Sequence, residues 1–104
     1  MTGSAAAAAV SALTGMPCRI ISGERQEHLD GGGICDIKAL IWAQGKDGAV
    51  IAGELAAAMT VCSTYSGGGI LRVRAASPAV CTERDSSGYM RYSQEIEIIY
   101  EGEL

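Results

Sequence analysis

The sequence predicts an α+β fold: a mainly antiparallel sheet of four to five strands, with one long helix and a short N-terminal helix packed on one face. Three observations carry that class. An alanine-rich segment at the start is bounded by helix signals, a second segment carries a continuous apolar stripe at helical spacing, and the remaining apolar runs alternate with period two. Nothing resembling a linker divides the chain, and no internal repeat occurs, so residues 1–104 are read as a single domain.

The first element is a short helix over Ser4 to Leu13, with Ser4 placed to cap its start, Gly15 after its end and Pro17 beyond. "CRIISGERQEHL", Cys18 to Leu29, begins apolar and turns charged, which predicts a strand running out into an exposed arm. Asp30 to Gly33, "DGGG", is a turn. In "ICDIKALIWA", Ile34 to Ala43, the residues Cys35, Ile37, Ala39, Ile41 and Ala43 share one face of a strand, while Asp36 and Lys38 lie on the other. Leu40 and Trp42 continue that second face, where their exposure is costly unless a loop or another subunit covers them.

After "QGKDG", Asp47 is positioned to cap a helix from about Gly48 to Tyr65, whose stripe is Ile51, Leu55, Ala58, Cys62 and Tyr65. "SGGG", Ser66 to Gly69, ends it. The last third reads as three strands: Ile70 to Ala75, Ala79 to Arg84, and Tyr89 to Tyr100. "DSSG", Asp85 to Gly88, joins the last two as a hairpin. On the final strand Met90, Tyr92, Ile96, Ile98 and Tyr100 are expected to face the long helix, with Gln94 an exception, leaving Arg91, Glu95 and Glu97 outward.

The totals narrow the function classes. With no Phe in the chain the core must be built from Ala, Val, Ile, Leu and Met, a light core that a partner surface would assist. Twelve acidic against eight basic residues leave a net charge of −4, which opposes gripping a phosphate backbone. Cys18, Cys35, Cys62 and Cys81 form no C-x-x-C pair and no second histidine completes a metal set. No secretory leader is read at the start, so reduced thiols are expected, and no apolar run approaches the roughly 20 residues of a membrane span.

Chemistry is thin. His28 is the only histidine and lies in the polar "RQEHLDGGG", where a solvated side chain is the ordinary reading. The glycine clusters precede strands rather than helices, the wrong order for cradling a phosphate. Glu95 and Glu97 are neighbours on one strand face, as are Arg72 and Arg74, and Arg91 joins the acids on the last strand. Pairing between these rows is expected if their strands are adjacent, as a solvated charged face or a complementary subunit surface. No catalytic, cofactor or metal residue is assigned.

The layout of "GERQEHLDGGGICDIKALIWA", "DGAVIAGELAAAMTVC" and "CTERDSSGYMRYSQEIEIIYEGEL", with the "R-x-D-x-x-G-Y" turn at Arg84 to Tyr89, resembles the tail-terminator and tail-completion proteins of long-tailed bacteriophages. The resemblance implies a structural virion protein, assembled in the host bacterial cytoplasm, that closes into a homohexameric ring. Such a ring caps the tail tube, stops its polymerisation and docks to a head-tail connector protein, while DNA passes through without specific binding. It also implies that Leu40, Trp42, Arg72, Arg74, Arg91, Glu95 and Glu97 face another subunit or the channel, and that Glu24, Arg25, Glu27 and His28 form an arm between subunits. The alternatives are a small binding or regulatory domain working as a dimer, and an enzyme using His28 with a cysteine.

Overall fold

The computed structural model describes residues 1–22, 25–29 and 32–102, with the backbone alone for 25–29. The elements run α1 (Gly3–Thr14), β1 (Cys18–Ile20), β2 (Arg25–Leu29), β3 (Gly32–Gly45), α2 (Gly48–Ser63), β4 (Ile70–Ala75), β5 (Val80–Arg84) and β6 (Met90–Glu101). The protein is an α+β fold, an antiparallel sheet carrying two helices. Its six strands occupy four positions, because β1 and β2 follow one another along the same edge of β3, and β4 and β5 along the far edge of β6. The helices differ by four residues, so the contrast between a short and a long helix is smaller than the sequence suggests.

Both helices start on side-chain caps. For α1 the cap is Thr2, not Ser4: the Thr2 hydroxyl accepts from the Ala5 amide at 3.1 Å and moves the first turn forward. Gly15 takes the left-handed conformation that ends it, its N–H reaching the Ser11 carbonyl at 2.9 Å. Gly3 lies against the sheet, where an added Cβ would come 3.3 Å from the Tyr100 hydroxyl. For α2, Asp47 Oδ1 accepts from the amides of Ala49 and Val50 at 3.0 and 3.3 Å. The helix stops at Ser63, short of Tyr65, because Gly67, Gly68 and Gly69 all take positive φ and turn the chain into β4.

The long β3–β6 ladder, from Ile34 opposite Glu101 to Gly45 opposite Met90, is the spine of the sheet. Opposed residues on an antiparallel ladder project to one side. Cys35, Ile37, Ala39, Ile41 and Ala43 therefore share the helix side with Tyr100, Ile98 and Ile96, and all are buried. Ile51, Leu55, Ala58 and Cys62 of α2, with Ala6 and Val10 of α1, close over them. Each fully buried Ile or Leu here contributes about 1.5–3 kcal/mol relative to exposure. Gln94, the polar exception on this side, is accommodated by its Nε2, which donates to the Ser77 carbonyl at 3.0 Å.

Candidate functional site: the open face of the sheet

No described element covers the other side of the sheet. Alternation along β3 puts Asp36, Lys38, Leu40, Trp42 and Gln44 there, and the register sets opposite them Ile99, Glu97, Glu95, Ser93 and Arg91. Arg19 of β1 lies beside Leu40, Arg72 and Arg74 of β4 beside Ile99 and Glu97, and Glu83 of β5 beside Arg91. All seven face residues expected from the sequence, Leu40, Trp42, Arg72, Arg74, Arg91, Glu95 and Glu97, thus lie on one surface. Among the described residues, five cations (Arg19, Lys38, Arg72, Arg74, Arg91) meet five carboxylates (Asp36, Glu83, Glu95, Glu97, Glu101) there. On a chain of net charge −4, the described charges of this face balance.

Two of the cations are held by Trp42. The Arg91 guanidinium stands 5.4 Å from the centre of the indole ring and that of Arg19 6.0 Å, contacts worth about 0.5–1 kcal/mol each where water reaches them. Arg91 is fixed further by Gln44, whose Oε1 accepts from Nε and Nη2 at 3.3 and 3.2 Å, and by Glu83 at 3.7 Å. Leu40, Ser93 and Thr82 complete a shallow concavity of about 290 Å³, in which the two hydroxyls hydrogen-bond at 2.8 Å. The cover expected over Leu40 and Trp42 therefore comes in part from the chain's own arginines, and both residues end half-buried.

Further along the face, Arg74 and Glu97 form an ion pair across β4 and β6, which supplies the partner of the largely buried Glu97 carboxylate. Arg72 lies opposite Ile99 and makes no ion pair among the described residues, and Glu95 likewise makes none. Sequence reasoning missed Arg19, Gln44 and Glu83. Arg19 carries the right alternation in "CRII", but which strand it would meet is a matter of pairing, not of pattern. Of the expected arm, Glu24 and the side chains of Arg25, Glu27 and His28 lie outside the described residues; the backbone of 25–29 forms β2, paired to β3.

Cys18 and Cys62 are ill-suited to attack. Burial, and then the neighbouring Cys62, push the Cys18 thiol up to about 11, and burial raises Cys62 as well. Both keep their protons at neutral pH, the reverse of what a nucleophilic cysteine requires. Cys81 is exposed on β5, with its S–H directed to the Glu83 carbonyl at 3.4 Å. Among the described residues no cluster of His, Cys, Asp and Glu could hold a metal ion, and no helix is long and apolar enough to cross a membrane. No family model matches the sequence, and no curated protein matches it.

Proposed function

We propose that this chain is a structural protein of a long-tailed phage, or of a tail derived from one, which closes into a ring of six copies at the head-proximal end of the tail tube. There it ends tube polymerisation and joins tail to head, with the tube protein and the head-tail connector as neighbours and DNA passing through ungripped. The reading rests on the resemblance in layout, with the longer helix α2 between a charged β2–β3 hairpin and the closing β5–β6 hairpin. The observation that carries it is the open face, a balanced array of arginines and carboxylates around half-buried Leu40 and Trp42 on an acidic protein. Aromatic and arginine residues at the centre of a patch are the composition of protein contacts, and alternating charges set register and partner choice.

Native mass measurement of the full chain at high concentration, alone and mixed with tail tubes, tests the reading. Six copies, or capture on tube ends, is the expected result. A strict monomer that does not bind tubes overturns it, and a species of two copies points instead to a dimeric binding domain. Within that assay Glu95→Lys is the informative change, because Glu95 has no ion pair among the described residues to lose. The variant should fold normally yet assemble poorly.

A further inference from the structure

Among the described residues the sheet has a gap in its edge. β1 pairs with β3 only as far as Cys18 opposite Ile41, while β6 continues along the other side of β3 to Gly45. Trp42 to Gly45 therefore form a four-residue stretch of strand with one free edge. The Lys38 carbonyl accepts from Ile21 on the β1 side, so alternation sends the backbone groups of Trp42 and Gln44 to that same side. Pro17, next in line beyond Cys18, has no N–H to offer them. At the same end of the sheet, across β6, the outer edge of β5 is also free of any described strand, and all five of its residues are exposed. One copy thus presents a vacant strand position on one flank and, on the other, a strand of about the same length whose outer edge has no partner among the described residues.

From this we infer that β5 of one copy pairs with the Trp42–Gly45 edge of the next, so that one sheet continues from subunit to subunit. The proposal rests on the ring reading and names its contact. Such a contact is heterologous, uses two different edges, and repeats until it closes. The surroundings of the gap fit this occupant. On its helix side lies a groove of about 520 Å³ whose walls include Leu13, Met16 and Val61, with Glu54 the one charged wall residue among those described. The register puts Cys81 on the helix side of β5, beside Tyr92, and Arg84 beside Met90. A β5 strand seated in the gap carries a small thiol toward the apolar wall and a cation toward the single acid. On the open side it meets Arg19, which makes no ion pair among the described residues.

The test cross-links the full chain. Ala43→Cys and Gln44→Cys are made separately, with Cys81 retained, and oxidised with copper phenanthroline. Within one chain β6 separates β3 from β5 by two strand spacings, roughly 9–10 Å, beyond disulfide reach, so a bond to Cys81 must join two copies. The expected result is a ladder of covalent species extending past the dimer, abolished by Cys81→Ser. Bonding that stops at the dimer overturns the proposal, because the contact is then isologous. A hexamer by native mass with no cross-link overturns it while leaving the ring reading standing. A strict monomer by native mass overturns the ring reading and this contact together. Should the cysteine variants not fold, the exposed charges decide. Arg84→Glu and Glu54→Arg should each weaken assembly about ten-fold and together restore it; unchanged assembly in both single variants overturns the pairing.

Discussion

On the helix side of the sheet, every second residue of β3 from Cys35 to Ala43 is apolar and closed to water; on the other side, the residues between and beyond them are Asp36, Lys38, Leu40, Trp42 and Gln44. The same strands build both. The first face is satisfied within the chain, by α1 and α2. The second is satisfied only in part, by two ion pairs, two arginines over one indole and a hydroxyl pair, and Leu40 remains half-buried.

The difference should appear most strongly in stability. Ile98→Ala leaves a cavity beneath the helices and should cost about 2–5 kcal/mol in urea unfolding, whereas Leu40→Ala on the open face should cost about 1 kcal/mol or less. Equal costs would erase the distinction between the faces. Next in size is the cap that starts the covering helix. Asp47→Ala removes the acceptor of two amides and should destabilise by about 1 kcal/mol, seen as a lower unfolding midpoint with the denaturant slope unchanged.

Smaller again is the coupling on the open face. A double-mutant cycle on Arg74 and Glu97 should return roughly 0.2–1 kcal/mol, because the arginine is about half exposed and water screens the pair. The thiols give the last contrast. Iodoacetamide near neutral pH should label Cys81 in the folded protein and spare Cys18 and Cys62, as mass spectrometry of the peptides would show. Folding raises the Cys18 pKa, so its contribution is complete below the ordinary value of 9.0 and is lost as the pH rises toward about 11. Unfolding midpoints that stay level across that interval would contradict the burial of the thiol.

Much of this was legible along the chain. The period-two pattern named the buried apolar residues Cys35, Ile37, Ala39, Ile41 and Ala43 of β3 and Ile96, Ile98 and Tyr100 of β6, though not buried Ser93, and Asp47 with the Ile51, Leu55, Ala58 and Cys62 stripe placed α2. Ends were less legible. Thr2 and Ser4 are both competent caps, and choosing between them depends on α1 lying close enough on the sheet for Gly3 to meet Tyr100. The candidate site was legible only in composition. Leu40, Trp42 and the charged rows could be assigned to an outward face, but Arg19, Gln44 and Glu83 join them through ladders between strands distant in sequence.

By itself, then, the sequence determined the element types, the inward faces and the charge balance, because those depend on spacing within a few residues. The tertiary structure decided which strands are neighbours. That choice brings Arg19 and Arg91 to Trp42, pairs Arg74 with Glu97, and leaves one edge of β3 without a described partner from Trp42 to Gly45 because β1 extends only from Cys18 to Ile20. Pairing is a property of the whole sheet, set by which arrangement closes the apolar face under two helices, and no local pattern carries it.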